Sequence, residues 1–207
     1  AGAAINAGVK FSSAMSALQA TAGIADKSSE SYKALEEKAL AMGSSTSFSA
    51  SEAAEGLKFL SLAGWDVETS IARIEPVLRA AEVSGLDLAR CADLVTDSMS
   101  AAGVESKDFS KYLDIVANAQ RESNTSMEQM LEAYIVAGGI FDQLNVPLEE
   151  SGALLGILAN RGTKGSEAGN ALISVFSNII TETGQAGKAL EQLNISLYDS
   201  EGKQRNV

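Results

Sequence analysis

The chain has 207 residues, of which 45% are hydrophobic and 5% aromatic, and its net charge is −11 at neutral pH. Few aromatics and two prolines favour close-packed helices over sheets, because strands prefer β-branched and aromatic residues. The acidic balance argues against a direct grip on nucleic acid, which requires basic side chains to neutralise phosphates.

Catalytic and metal chemistry find little support in the composition. The chain has no histidine, and its only cysteine is Cys91, so the usual zinc ligands are nearly absent and a cysteine nucleophile would lack its histidine base. We therefore expect no enzyme activity, no catalytic residue, no cofactor and no metal. The longest uncharged stretches are too short and too polar to cross a bilayer, so no membrane contact is expected.

Apolar residues at helical spacing, separated by glycines and capping residues, predict an all-α fold of eight to ten short helices. The predicted helices cover residues 3–22, 30–42, 50–63, 68–74 with a restart after Pro76 to about 83, 87–101, 106–120, 126–144, 147–160, 166–181 and 185–193.

Four local features refine these helices. Gly43 is expected to close the second helix, and Ser49 with Glu52 forms a capping box for the third. Pro76 is expected to break the helix that contains it. The paired glycines Gly138 and Gly139 are candidates for a kink.

The first predicted helix has a weak apolar face, which consists of Ile5, Val9, Met15, Leu18 and Ala22. We expect residues 1–27 to form an extended or self-associating N-terminal helix and residues 28–193 to form the helical core domain. Alternating residues in 194–207 predict a small β-hairpin-like tail that leads into a missing C-terminal region. Because the chain starts without Met and stops abruptly, we expect it to be a fragment of a longer protein.

The stretch Leu158–Leu172, LANRGTKGSEAGNAL, has the composition of a phosphate-binding loop. A P-loop requires a strand, then GxxxxGK[ST], then a helix, whereas here Lys164 precedes Gly165 and a helix comes first. The simpler interpretation is a turn between two helices, in which Gly162 ends one and Ser166 caps the next.

Two further features have competing interpretations. The pairs Gly152–Gly156 and Gly165–Gly169 match GxxxG, which in a chain that does not span a membrane predicts helices in close contact. Trp65, the only tryptophan, is a candidate protein contact, although core packing under a turn is the commoner role. The segments 52–70 and 150–168 are faintly similar, but no fixed period recurs three times.

Several of these segments together resemble the core region of phage tail tape-measure proteins. The similar segments, several of which occur in the order of that family, are FSASEAA from Phe48, LAGW ending at Trp65, LDLARCADLVTDSMSAAGV after Gly85, SNTS from Ser123, LLGILANRGTKGSEAGNAL up to Leu172 and LYDSEGKQR near the end. The resemblance covers about residues 30–207.

The resemblance implies a structural protein in the lumen of a phage tail, and in the host cytoplasm during assembly or when encoded by a prophage. In such proteins chain length sets tail length and tail-tube subunits polymerise around the chain. The implied partners are tail-tube subunits and tail assembly chaperones, with self-association also expected, and no catalytic residue is carried over. Two alternatives stay open: a helical protein-binding module of a cellular scaffold, and an enzyme that uses the Lys164–Ser166 turn.

Overall fold

The computed structural model describes residues 2–180, 184–193 and 196, and this part of the chain is all-α, as predicted. Ten α-helices follow one another: α1 Gly2–Thr21, α2 Glu30–Ser45, α3 Ala50–Leu62, α4 Val67–Ser84, α5 Leu88–Ala101, α6 Phe109–Glu122, α7 Met127–Gln143, α8 Leu148–Asn160, α9 Gly165–Ile180 and α10 Gly184–Gln192. A single 3₁₀ turn, Ser106–Asp108, precedes α6. Apart from Ser196, the predicted hairpin at 194–207 lies outside the described residues.

Two predicted helix ends are wrong, each for a physical reason. Pro76 lies inside the continuous helix α4. Proline removes the hydrogen bond to the carbonyl of Ala72 and its ring crowds that carbonyl. Because Ala72 is exposed, the carbonyl can tilt outward and bond to water. Gly43 lies inside α2, where a Cβ would come within 2.5 Å of the Ala50 backbone nitrogen. Gly43 therefore allows α2 to pack closely against α3 and does not end α2.

The predicted caps fare better. Ser49 and Glu52 form the expected capping box at the start of α3, with the Ser49 amide donating to the Glu52 carboxylate over 2.7 Å. At the start of α7, Ser126 forms a second capping box with Gln129. Both pairs satisfy backbone amides that have no partner inside the helix.

The chain divides into two compact units, Ala1–Asp97 and Ser98–Val207, with the boundary inside α5. The domain boundaries predicted after residues 27 and 193 stay predictions. In the first unit α1 packs on α3, and α2 packs on both α3 and α4. The core side chains that are fully buried there include Leu18, Leu35, Leu57, Leu60, Ile74 and Leu78.

The five residues predicted as one apolar face of α1 do not share a face. Met15 and Leu18 are buried, whereas Ile5 is 67% exposed and Val9 is 63% exposed. Since an α-helix turns by about 100° per residue, Ile5 and Val9 lie on the side of α1 away from Leu18, while Ala7 lies on the side that faces α3. The first turns of α1 therefore present two aliphatic side chains to solvent.

The second unit is organised around four aromatic rings in edge-to-face contact. The Tyr112 ring lies 5.3 Å from Tyr134, and the Tyr134 ring lies 6.0 Å from Phe141. Phe141 in turn contacts Phe176 at 6.0 Å. Such contacts contribute about 0.5–1.5 kcal/mol each beyond the burial of area. This aromatic ladder connects α6, α7 and α9.

A buried hydroxyl pair attaches α8 to the same ladder. The hydroxyls of Tyr134 and Ser151 lie 2.9 Å apart, and either can donate to the other. The Leu148 carbonyl oxygen at the start of α8 accepts from Ser151 over 2.9 Å and lies 3.3 Å from the Tyr134 hydroxyl. Burial raises the pKa of the Tyr134 phenol to about 12, with the Ser151 hydrogen bond opposing the rise. The phenol is therefore a neutral structural group at physiological pH.

The same helix stop recurs along the chain. A residue with positive φ follows a helix at Gly23, Gly64, Gly103, Asn145 and Gly162. The residue after each of them donates its amide hydrogen to the carbonyl five residues back, over 2.8–3.2 Å; these residues are Ile24, Trp65, Val104, Val146 and Thr163. This is a Schellman motif. The stops are unevenly spaced, so they do not establish a repeat of fixed period.

The adjacent glycines of α7 have different surroundings and provide a matched test. An alanine Cβ at Gly138 would lie 2.6 Å from backbone atoms of Ala101 and Ala102, whereas a Cβ at Gly139 would meet nothing within 4 Å. We expect Gly138→Ala to lower the free energy of unfolding by about 1–3 kcal/mol through overpacking. Gly139→Ala is expected to raise it by up to about 1 kcal/mol through helix propensity. Urea denaturation measures both, and equal midpoints would contradict this account.

Candidate functional site

The stretch Leu158–Leu172 is a turn between two helices, as the simpler interpretation predicted. Helix α8 ends at Asn160, and the amide of Thr163 donates to the Leu158 carbonyl over 3.0 Å, around Gly162 with φ of 96°. Helix α9 begins at Gly165, so the predicted cap residue Ser166 lies inside the first turn, and that prediction is wrong. Gly165 adopts positive φ, so it joins the turn to the helix in a conformation that favours glycine.

The glycines of this stretch bring α9 against α7. A Cβ at Gly169 would lie 2.7 Å from Val136 and 2.9 Å from the Ala133 carbonyl oxygen. A Cβ at Gly165 would lie 3.1 Å from the Glu132 carboxylate. These distances confirm the predicted role of this GxxxG pair, which is close helix packing. The element before the turn is a helix, whereas a phosphate-binding P-loop requires a strand there.

The other glycine pair brings α8 against α6. A Cβ at Gly152 would lie 2.7 Å from the Ile115 side chain, and one at Gly156 would lie 2.5 Å from the Ser123 hydroxyl. The ends of the two helices are also connected, because the Asn124 amide donates to the Asn160 side chain over 2.8 Å. The starts are connected by an ion pair between Lys111 and Glu149 at 2.7 Å. These contacts show that α6 and α8 run parallel.

A shallow cleft of about 300 Å³ opens between these two helices. We call it the α6–α8 cleft. Its lining includes the apolar residues Ile115, Ala119, Gly152 and Ala153 and the rim carboxylates Glu122 and Glu149. Sequence reasoning missed this cleft, because its two walls are more than thirty residues apart in the chain. The available signal was the pair of small residues Gly152 and Ala153 beside the predicted contact.

Trp65 lies in the turn between α3 and α4 and is half-buried. Its amide donates to the Leu60 carbonyl over 3.2 Å, and the next residue, Asp66, caps α4 through the Thr69 amide over 2.7 Å. The backbone here is therefore fixed on both sides of the tryptophan. Its role as a protein contact stays a prediction.

Cys91 is fully buried in the first unit, with its Sγ 3.9 Å from the Val77 carbonyl oxygen. Burial raises the pKa of this thiol from 9.0 to about 12, so the sulfur is protonated at physiological pH. Within the described residues no group of three histidine, cysteine or acidic side chains is placed to hold a metal ion.

The burial of Cys91 predicts its reactivity. At about pH 8 an exposed thiol is partly ionised and reacts readily with an aromatic disulfide reagent. We expect the native protein to react at least about tenfold more slowly than the same protein in denaturant, because the native thiolate is disfavoured and inaccessible. Since Cys91 is the only cysteine, the absorbance of the released thiolate reports on it alone. Equal rates in the two states would show that the site is open.

Among the described helices, none is long and apolar enough to cross a membrane. A model of phage-related minor tail proteins matches residues 36–207. The chain belongs to this family of phage tail proteins. The resemblance seen in the sequence is thereby confirmed, and the family favours a tail protein over a module of a cellular scaffold.

Two curated relatives agree with this family. The tape measure protein of Pneumococcus phage Dp-1 is 34% identical over 202 residues, which are 98% of this chain and 17% of the relative. The probable tape measure protein of Escherichia phage P2 is 28% identical over 200 residues, which are 97% of this chain and 24% of the relative. The chain thus spans less than a quarter of the length of either. No solved structure matches it significantly.

Proposed function

We propose that this chain is a helical module of a tape measure protein, which sets the length of a phage tail and templates the assembly of the tail tube. The observation that carries the proposal is the similarity to the tape measure protein of phage Dp-1, which extends over 98% of the chain. The fold supports it, since the described residues form helices closely packed through glycine and alanine. The buried thiol and the turn at Lys164 offer no catalytic chemistry, so we propose a non-enzymatic role.

The proposed location is the lumen of the tail in the virion, and the host cytoplasm during assembly. The proposed partners are tail-tube subunits and tail assembly chaperones, together with other copies of the same chain. The net charge of −11 supports a lumen role, because an acidic surface does not hold the DNA that later passes through the same channel.

Removing the module tests the proposed role in tail length. An in-frame deletion of these 207 residues from the parent gene is expected to shorten the tails by up to about 310 Å, the length of the same number of residues in a continuous α-helix. Tail lengths are measured in negative-stain images of purified virions. The matched control replaces the module with an unrelated helical segment of equal length, which should restore length if number of residues is what matters. Tails of unchanged length and yield after deletion would contradict the proposal.

Trp65 is the proposed contact with tail-tube subunits. Because it is the only tryptophan, its fluorescence reports directly on its surroundings. We expect addition of purified tube subunits that themselves lack tryptophan to shift its emission to shorter wavelength, since a half-buried indole would lose its remaining contact with water. Trp65→Phe is expected to weaken tube-subunit binding about tenfold or more. An unchanged spectrum together with unchanged binding of the variant would remove Trp65 from the interface.

A further inference from the structure

The α6–α8 cleft is an apolar groove of about 300 Å³ on the surface of the second unit. Ile115 and Ala119 of α6 and Ala153 of α8 form its floor. Beside them Gly152 has no side chain, so α8 fills little of this space. One turn beyond Ala153, Ile157 is 58% exposed and extends the apolar surface along the helix. The groove therefore has room for aliphatic side chains from a third helix.

The two helices make one end of the groove negative. Because α6 and α8 run parallel, their C-terminal ends lie together, and the Asn124 amide after α6 donates to the Asn160 side chain at the end of α8 over 2.8 Å. The last carbonyl groups of each helix carry partial negative charge. Glu122 adds a carboxylate that lines the groove, whereas Arg121, the basic residue of the same turn, donates to the Asn118 side chain. A positively charged group is therefore favoured at this end.

The other end of the groove differs because its charges are paired. There the Lys111 ammonium lies 2.7 Å from the Glu149 carboxylate, and both side chains are more than half exposed. The helix N-termini at this end also carry partial positive charge. The groove therefore runs from a paired end to a negative end, and this polarity distinguishes the two directions in which a helix can lie in it.

The first unit contains a cleft of the same kind with different chemistry. It lies between α1 and α3, which like α6 and α8 are separated by one helix in sequence, and its volume is about 800 Å³. We call it the α1–α3 cleft. Lys10, Glu52, Glu55 and Lys58 line it, so both signs of charge are present. None of the described residues in its lining has an aliphatic side chain larger than that of alanine. An aliphatic side chain gains less there, because it would meet charged and hydroxyl groups.

The described helices of this chain do not have the charge that the α6–α8 cleft favours. By sequence, α1 is the only one of the ten with a net positive charge, and Lys10, its only charged residue, lines the α1–α3 cleft. The exposed Ile5 and Val9 lie on a different side of α1 from Lys10, so α1 does not present its aliphatic and basic side chains together. The complementary helix therefore comes from another protein.

We propose that the α6–α8 cleft binds an amphipathic helix of a partner protein, which carries aliphatic side chains on one face and lysine or arginine near its N-terminus. The aliphatic side chains lie on Ala119 and Ala153 and against Ile157. The basic residue lies beside Glu122, where the positive end of the partner helix also meets the negative ends of α6 and α8. This is the helix-in-groove mode of recognition. It does not depend on a role in tail length.

The area of such a contact is small, so we expect weak binding with a dissociation constant on the order of 0.1 mM. The net charge of −11 attracts any basic peptide to some degree, and this attraction weakens as salt is added. A salt dependence alone is therefore not diagnostic. The test has to compare variants that change the charge of the chain equally in the two clefts.

Two synthetic peptides provide the probes. One has about 15 residues, enough for a helix of about 22 Å, with leucines spaced three and four residues apart and lysines in its first two turns. The other has glutamate in place of each lysine. In an NMR titration of the whole 207-residue chain, the lysine peptide should shift the amide signals of residues that line the α6–α8 cleft and leave those of the α1–α3 cleft unchanged. The glutamate peptide should bind at least about tenfold more weakly.

Matched variants in the two clefts separate groove binding from general attraction. Ala153→Lys should weaken binding of the lysine peptide at least about tenfold, because it fills the groove and adds a like charge. Ala17→Lys makes the same change at an exposed alanine of the α1–α3 cleft and should leave binding nearly unchanged. Glu122→Gln should weaken binding about threefold, and Glu55→Gln, also at an exposed position, should have little effect. Circular dichroism checks that each exposed substitution preserves the helices.

A spin label at the N-terminus of the lysine peptide tests the direction of the bound helix. It should broaden the amide signals of Ser123 and Asn160 more strongly than those of Lys111 and Glu149, because the N-terminus is expected at the negative end. Strongest broadening at Lys111 and Glu149 would overturn the proposal.

Three other outcomes would also overturn it. The first is a lysine peptide that does not bind, and the second is equal weakening by Ala153→Lys and Ala17→Lys. The third is association of the chain with itself that Ala153→Lys abolishes, because a second copy would then occupy the cleft. None of these outcomes affects the tail-length experiment, which is scored on virions.

Discussion

Close contact between helices at glycine and alanine governs this molecule. Gly43 lies against Ala50, Gly138 against Ala101, and Gly169 against Val136, and in each case an added Cβ would come within 3 Å of another atom. Helices at this distance gain many weak dispersion contacts without large side chains, which suits a chain with only 5% aromatic residues. A larger residue at any of these positions would push two helices apart. The packing of each unit therefore depends on having glycine, with no side chain, at these contacts.

The few aromatic residues are used where this close packing needs a fixed register. In the second unit the rings of Tyr112, Tyr134, Phe141 and Phe176 form one series of edge contacts. Tyr134 is the central member, because its hydroxyl also pairs with Ser151 at the start of α8. Small residues set the distance between helices, and the ladder sets their position along one another. The same helices then leave the α6–α8 cleft open at the surface.

Local signals in the sequence predicted most helices and caps. Ser49 with Glu52, and the apolar series Leu88, Cys91, Leu94, Val95 and Met99, depend only on neighbours in the chain, and the structure confirms them. Gly43 was misread because a glycine that ends a helix and one that packs against a helix look alike in sequence. Pro76 was misread because the sequence does not show that the carbonyl of Ala72 is exposed to water. Ile5 and Val9 were wrongly placed on one face with Leu18, although the turn of about 100° per residue sets them on the other side of α1. The cleft follows from the pairing of α6 with α8, which no single segment encodes.

The recurring stop at residues 23, 64, 103, 145 and 162 separates consecutive helices without setting their partners. Within each unit the largest contacts, α1 with α3 and α7 with α9, reach across a stop to a helix two positions away. A segment inserted at residue 23 or 145 would therefore lie between helices that pack on each other. The stops are places where the chain turns, and the packing across them limits where such a gene can gain or lose length.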